Sequence, residues 1–221
     1  MEISHFLDHT LLKPDASLKD IELLCEEAKT YRFYSVCIPP YYVEKAAKLL
    51  KGSPVKIATV VGFPMGYSSV SAKIEEIKRA IQKGADEIDA VVNISAVKSA
   101  DWKYLKNEIS SLVGATHLQR KVFKLILETS LLDSVEIAQL CAISSDAGVD
   151  FVKNATGFSG KGATIEMIQF LRTSLPDNIQ IKASGGIRTL EFAQALLAEG
   201  VTRIGSSSSV AIMEQQQLVG S

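Results

Sequence analysis

Two lysines in this sequence stand where a lysine is costly, each at the end of a short apolar run that gives way to glycine-rich residues. Lys153 closes the run 151–153 and Lys182 closes the run 179–182, and glycine follows each within four residues. Burial disfavours the charged ammonium form of a lysine. The neutral amine can attack a carbonyl carbon and form a Schiff base. The pair therefore predicts an amine nucleophile held beside a second ammonium.

A neighbouring ammonium is strong enough to activate such an amine. Lowering the pKa of a lysine from about 10.4 to about 7 requires roughly 4.6 kcal/mol. A second ammonium about 4 Å away contributes on the order of 4 kcal/mol at an effective dielectric constant near 20. One lysine could supply most of the shift and desolvation the rest. Two lysines this close would titrate as a coupled pair.

Asp89 stands in another apolar run, between Ile88 and Ala90. A carboxylate in such surroundings must be paired or functional. One interpretation is a structural ion pair. The other is a general acid and base that works through Lys182 or through a water molecule.

Two glycine and serine loops suggest a site for an anion. The loop 185–186 precedes a helix that begins near Thr189, and the loop 205–208 precedes the last helix of the chain. Backbone N–H groups at helix starts, together with uncharged hydroxyls, suit a phosphate group. Helix caps and tight turns would explain one such loop, but two after neighbouring strands favour a phosphate site.

The rest of the chain alternates strand patterns with helix patterns. Helices are predicted after a Ser17 cap, from a Ser134 cap to Gly148, over 42–50, 70–84, 102–113, 164–173 and 189–199, and from the serines 206–209 onward. Predicted strands cover 6–12, 33–38, 55–61, 87–92, 122–127, 151–153, 179–182 and 203–205. A weak repeat of a helix-ending glycine, two or three residues and then a strand recurs at Gly84, Gly148 and Gly200.

This alternation predicts parallel strands joined by crossover helices. Eight units in 221 residues fit an α/β fold of the (β/α)8 TIM-barrel type, a single domain over residues 1–221 with an extra N-terminal helical segment. A doubly wound open sheet is the alternative. It would carry a Gly-x-Gly-x-x-Gly fingerprint after the first strand, which the sequence lacks. The late glycine loops favour the barrel, whose phosphate site often follows strands seven and eight.

Composition narrows the function classes. The chain is 47% hydrophobic and 22% charged, with a formal net charge of −1. This balance gives no indication of a nucleic-acid or membrane partner, and no apolar run approaches the roughly 20 residues of a membrane span. The three cysteines and three histidines have no disulfide or metal spacing, so no metal is expected. The start of the chain lacks the features of a signal peptide, which indicates a cytoplasmic protein.

Several stretches resemble the deoxyribose-phosphate aldolases, a family of class I aldolases that form a Schiff base. The matching stretches lie in order along nearly the whole chain and read DHTLLKP at 8–14, VCIP at 36–39, EIDAVVN at 87–93, FVK at 151–153, TGF at 156–158 and KASGGIRT at 182–189.

The resemblance implies a (β/α)8 barrel that reversibly cleaves 2-deoxy-D-ribose 5-phosphate into D-glyceraldehyde 3-phosphate and acetaldehyde, with small phosphosugars and aldehydes as its partners and no cofactor. By the same resemblance Lys153 is the Schiff-base lysine, Lys182 is the lysine that perturbs the pKa of Lys153, and Asp89 is the carboxylate that transfers protons. The implied substrate and phosphate-binding residues are Asp8, Thr10, Thr156, Gly157, Gly185, Gly186, Ser207 and Ser208. The sequence does not determine the oligomeric state, and a homodimer is compatible with the sequence.

Two departures from the family pattern stand out. Relatives often carry Thr-Ser where this chain has Asn154-Ala155, which changes the hydrogen bonding next to the predicted nucleophile. Some relatives end in a tyrosine thought to assist proton transfer, whereas no tyrosine follows Tyr104 here.

Other functions remain open from sequence. Another phosphate-binding TIM-barrel enzyme, either a different Schiff-base aldolase or a sugar-phosphate isomerase, is the alternative. An isomerase would ordinarily use a carboxylate base and no pair of strand-end lysines. A non-catalytic sugar-phosphate binding module is a third class.

Overall fold

A computed structural model describes residues 2–220 and gives a closed barrel of eight parallel strands. The strands pair in chain order, and the first closes on the eighth. Their bounds are β1 Leu7–Thr10, β2 Ser35–Ile38, β3 Lys56–Val61, β4 Glu87–Val91, β5 Val122–Ile126, β6 Phe151–Lys153, β7 Gln180–Ser184 and β8 Arg203–Ser206. The predicted (β/α)8 barrel is confirmed.

Helices follow the strands around the outside. Their bounds are α1 Leu18–Thr30, α2 Val43–Leu49, α3 Val70–Gln82, α4 Ile94–Lys98, α5 Trp102–His117, α6 Ser134–Ala147, α7 Ile165–Ser174, α8 Leu190–Ala198 and α9 Ser209–Gly220. The expected N-terminal helical segment is a single 3-10 turn, Ile3–Phe6. It replaces the start of the predicted first strand, which begins at Leu7. Across residues 2–220, no helix is long and apolar enough to cross a bilayer.

One helix prediction is wrong, and one helix was not predicted. The prediction that Ser134 caps α6 is wrong, because Asp133 is the N-cap and forms a capping box with Glu136. The short helix α4 was not predicted. It is capped by Asn93 and has only five residues, which is too short to show a helical periodicity.

The strands have an apolar outer face, and several of them carry charged residues on the inner face. In β5, Phe123 and Leu125 belong to the apolar core between strands and helices, whereas Lys124 between them does not. Successive side chains of a strand point to opposite faces of the sheet. The core therefore lies outside the barrel, under the helices, and the barrel interior is free to carry charged groups.

The sequence repeat marks the amino-terminal edge of the barrel. Gly148 adopts the left-handed conformation that ends α6. Two residues after the repeated glycine, Asp86 and Asp150 each accept a hydrogen bond from a backbone N–H at the start of the preceding strand, Ile57 at 3.1 Å and Phe123 at 2.8 Å. These carboxylates tie neighbouring strands together at the end of the barrel opposite the candidate site.

Candidate active site

The carboxylate of Asp89 lies at the centre of the barrel interior and holds three lysines. Its Oδ1 accepts a hydrogen bond from Lys124 at 2.8 Å. Its Oδ2 accepts one from Lys153 at 3.0 Å and one from Lys182 at 2.8 Å. All four side chains are buried. The structure therefore brings together the three residues predicted to be catalytic and adds Lys124 to them.

Two further carboxylates extend this network. Asp8 accepts hydrogen bonds from Lys182 and, at 3.0 Å, from Arg203. Glu87 accepts from Arg203 at 2.9 Å and lies 2.6 Å from Lys124. The seven groups, called the interior charge cluster below, are Asp8, Glu87, Asp89, Lys124, Lys153, Lys182 and Arg203. Among the residues that the structure describes, the cluster thus joins four cations to three carboxylates.

Strand register sets the cluster side by side. Asp89 of β4 stands opposite Lys124 of β5, Lys153 of β6 stands opposite Lys182 of β7, and Lys182 stands opposite Arg203 of β8. Lys153 ends its strand as predicted, but Lys182 is the middle residue of a five-residue strand. Lys182 therefore lies deeper in the barrel than a strand-end position would give.

The charges of the cluster stabilise one another against burial. Burial alone would raise the pKa of Asp89, but Lys124 and Lys182 outweigh it and hold that pKa well below its usual range. Burial would likewise raise the pKa of Asp8, but Lys182 and Arg203 outweigh it and lower that pKa. Burial alone would lower the pKa of Lys182, yet the two aspartates raise it, and the pKa of Lys124 is also raised. These four groups therefore stay ionised around neutral pH.

A cavity of about 310 Å³ opens at the carboxyl ends of the strands, directly above Lys153. Of the predicted binding residues, six line it: Thr10, Thr156, Gly157, Gly185, Gly186 and Ser207. Ser208 is not in the lining, whereas Ser206 is, and Asp8 lies below in the interior charge cluster. Lys13 and Arg188 also line the cavity, and both are exposed cations.

Thr156 is engaged by a buried glutamate. Its hydroxyl and its backbone N–H both donate to Glu128 Oε2, and the hydroxyl oxygen accepts from the N–H of Phe158 at 3.0 Å. Glu128 has a left-handed backbone with φ of 57° at the end of β5. The hydroxyl of Thr156 thus both donates and accepts within the protein. These contacts fix the shape of the loop after Lys153.

Asn154 occupies one of the two positions where this chain departs from the family pattern. Its side-chain amide donates to the carbonyl of Ser184 at 3.1 Å, and its side-chain oxygen accepts from the N–H of Ser184 at 2.8 Å. The carboxamide thus takes the place of a peptide group between the ends of β6 and β7. It holds together the two strands that carry Lys153 and Lys182.

The opposite side of the barrel interior is apolar. Cys37, Ala58 and Val60 of β2 and β3 form a small cluster against Leu12 and Phe63. The barrel interior is therefore charged around Asp89 and apolar on the side of β2 and β3.

Of the residues missed from sequence, Lys124 carried a detectable signal, because it stands within an apolar strand run as Asp89 does. Glu87 and Arg203 are the first residues of their strands and follow polar residues, so no apolar run marks them. Lys13 and Glu128 lie in loops, where a charged residue is ordinary. Within residues 2–220, the structure brings no three His, Cys, Asp or Glu side chains into a group that could hold a metal ion.

Comparisons with known proteins show the family and the fold. A family model described as DeoC/LacD family aldolase matches residues 4–209. A deoxyribose-phosphate aldolase of Caldicellulosiruptor saccharolyticus is 49% identical over 215 residues, which cover 97% of this chain and 98% of that protein. One from Treponema denticola is 46% identical over 213 residues, covering 96% and 99%. The deoxyribose phosphate aldolase of Aeropyrum pernix, described as tetrameric, superposes with a TM-score of 0.91 at 32% identity, covering 98% and 92%.

Proposed function

The chain belongs to the DeoC/LacD family of aldolases, and from this premise we propose that it reversibly cleaves 2-deoxy-D-ribose 5-phosphate through a Schiff base on Lys153. The products are D-glyceraldehyde 3-phosphate and acetaldehyde. The names of its relatives support the substrate. The observation that carries the proposal is that Lys153, of the cluster lysines Lys124, Lys153 and Lys182, is the one in the cavity lining.

The charge balance of the cluster supports Lys153 as the nucleophile. An amine must lose its proton before it attacks a carbonyl carbon. With four cations and three carboxylates, one proton can leave without stranding a carboxylate. Lys124 and Lys182 each contact two carboxylates, whereas the hydrogen bond of Lys153 goes to one carboxylate oxygen that it shares with Lys182. Lys153 is therefore the amine whose conversion disturbs the cluster least.

The reaction then proceeds in balanced steps. The nitrogen of Lys153 attacks C1 of the open-chain sugar, and loss of water leaves a protonated imine. The C3 hydroxyl gives up its proton to Asp89 through Lys182 or a water molecule, and the C2–C3 bond breaks. Its electron pair forms an enamine, and D-glyceraldehyde 3-phosphate leaves. Protonation at C2 and hydrolysis release acetaldehyde and free Lys153.

The phosphate end is proposed to lie in the glycine and serine loops. Gly185 and Gly186 precede α8, and Ser207 precedes α9, so both loops offer backbone N–H groups near a helix start. The exposed cations Lys13 and Arg188 would add charge at the mouth of the cavity. Ser208 stands in the same loop directly before α9, and its proposed contact with the phosphate is through this loop, since its side chain is not in the cavity lining.

Trapping with borohydride tests the proposal. Incubation with acetaldehyde and borohydride should add one reduced two-carbon group, seen by intact mass, and peptide mapping should find it on Lys153. Lys153→Ala should lose the adduct and the turnover, and Lys153→Arg should fail too, because a guanidinium does not become a neutral amine. An adduct that maps to Lys182 would reverse the assignment, and retro-aldol activity in a folded Lys153→Ala variant would refute it.

A further inference from the structure

Ser184 carries a buried hydroxyl that has no partner in the protein. Its side chain lies in the cavity lining and the residue is only 5% exposed. Among residues 2–220, its Oγ makes no hydrogen bond. Leaving a buried hydroxyl unsatisfied costs free energy, and nearly all buried polar groups have partners. A ligand in the cavity that supplies a partner would remove this cost.

The strand geometry fixes where the hydroxyl lies. Ser184 follows Lys182 by two residues on β7, so both side chains point into the barrel. At about 3.3 Å per residue, Ser184 stands roughly 6.6 Å nearer the carboxyl end of the strand than Lys182. Lys182 is level with Lys153 on β6. The loop 185–186 begins at the residue after Ser184. The hydroxyl therefore lies between the level of the two lysines and the proposed phosphate loops.

The neighbouring strand keeps this position open. Gly205 of β8 stands opposite Ser184, and a β-carbon there would lie 2.6 Å from Ser184 Oγ and 3.3 Å from Lys182 Cε. Any larger residue at 205 would displace the hydroxyl. Room for the hydroxyl and for the stem of Lys182 thus depends on the missing side chain.

Building on the proposed function, we infer that Ser184 is a specificity-determining residue that hydrogen-bonds the C4 hydroxyl of the sugar phosphate. In the proposed substrate, C1 is bound to Lys153 and C5 bears the phosphate, so the hydroxyls at C3 and C4 lie between. The C3 oxygen is the reacting atom, which the cluster serves. The C4 hydroxyl is next to the phosphate-bearing carbon, on the side of Ser184. In the synthetic direction this is the 2-hydroxyl of the acceptor aldehyde.

The test compares two acceptors in wild type and in Ser184→Ala. With acetaldehyde as donor, the value of kcat/KM is measured for D-glyceraldehyde 3-phosphate and for 3-oxopropyl phosphate, which lacks the 2-hydroxyl. The kcat/KM for D-glyceraldehyde 3-phosphate divided by that for 3-oxopropyl phosphate should fall about tenfold in Ser184→Ala, because one hydrogen bond to the 2-hydroxyl is lost. Trapping of acetaldehyde alone by borohydride should stay at the wild-type rate, since acetaldehyde has no hydroxyl.

Ser4→Ala is the matched control, because Ser4 also carries a fully buried hydroxyl with no partner among the described residues but lies outside the cavity lining. It should leave the acceptor ratio unchanged. An equal effect of Ser184→Ala on both acceptors would overturn the inference while leaving the proposed function standing. Absence of wild-type turnover with either acceptor would instead refute the proposed function, and this inference with it.

Discussion

At the residue scale, the reactivity proposed for Lys153 belongs to a set of charges. The sequence predicts a single neighbouring ammonium, Lys182, beside Lys153. In the structure both lysines contact the same oxygen of Asp89, and Lys182 is held charged by Asp8 as well. The relevant quantity is therefore the balance of the interior charge cluster, in which each ion changes the free energy of every other.

Changing the balance should shift imine formation in opposite directions. Lys182→Leu leaves three cations for three carboxylates, so the rate of borohydride-trapped imine with acetaldehyde should reach its half-maximum at least about one pH unit higher. Asp8→Asn leaves four cations for two carboxylates, so the profile should move to lower pH. The measurement is the trapping rate against pH, with circular dichroism to verify folding.

Lys124→Met separates two explanations. It removes a charge from the same cluster, yet Lys124 contacts the other oxygen of Asp89. If balance controls Lys153, this variant should also shift the profile upward. A shift in Lys182→Leu alone would mean that only the nearest ammonium matters, and superimposed profiles in all variants would contradict both explanations.

The sequence could identify the site's central residues but not their partners. Lys153 is identifiable because it closes an apolar run, and Asp89 and Lys124 because each stands within one. What the pattern cannot give is the pairing across the barrel, because Asp8 of β1 meets Lys182 of β7 only after eight strands have closed into a ring.

At the element scale, helix starts show how a near miss arises. Asp133 and Ser134 are both good N-cap residues, so residue type alone does not choose between them. The glutamate three residues after Asp133 completes a capping box, and this spacing does choose. The sequence therefore held the signal for the correct cap, whereas the five-residue helix α4 gave no comparable signal.

Removing the α6 cap should destabilise the protein measurably. Asp133→Ala loses the side-chain acceptor for the N–H of Glu136, and should lower the free energy of unfolding by about 1 kcal/mol. Ser134→Ala is the control, since Ser134 is an exposed first residue of the helix, and should change it by less than about 0.5 kcal/mol. Urea unfolding measures both, and equal losses would return the cap to Ser134.

At the scale of the whole molecule, the architecture was the most predictable property. Eight alternating units and late glycine loops suffice for a (β/α)8 barrel, because parallel strands require crossover helices. Strand bounds were less predictable. The first predicted strand ran over 6–12, but pairing with β2 and β8 extends only over Leu7–Thr10. Tertiary pairing, which one sequence does not display, sets those limits.

The interior charge cluster should confine maximal stability to a window of pH. The lowered pKa values of Asp8 and Asp89 mean that their contribution is complete above an unfolded-state value of about 3.9 and is lost as pH falls below it. The raised pKa values of Lys124 and Lys182 mean that theirs is complete below about 10.4 and is lost as pH rises above it.

Urea unfolding at a series of pH values measures this dependence. Asp8→Asn should reduce the slope of the unfolding free energy against pH on the acid side, because up to about one proton fewer is taken up on unfolding. Asp177→Asn, at an exposed position, should leave the slope unchanged. A wild-type slope that Asp8→Asn does not alter would mean that Asp8 is not stabilised in the folded state.

The contact between Asp8 and Arg203 spans 195 positions of the chain. During synthesis on the ribosome, therefore, the first strand emerges long before the residue that completes its charge network. Until β7 and β8 emerge, Asp8 lacks its partners Lys182 and Arg203 and must stay hydrated, because a buried unpaired carboxylate is costly. Catalytic competence is thus acquired at the final closure of the barrel. Any later opening of the seam between β1 and β8 would remove activity while most of the helices and strands were still in place.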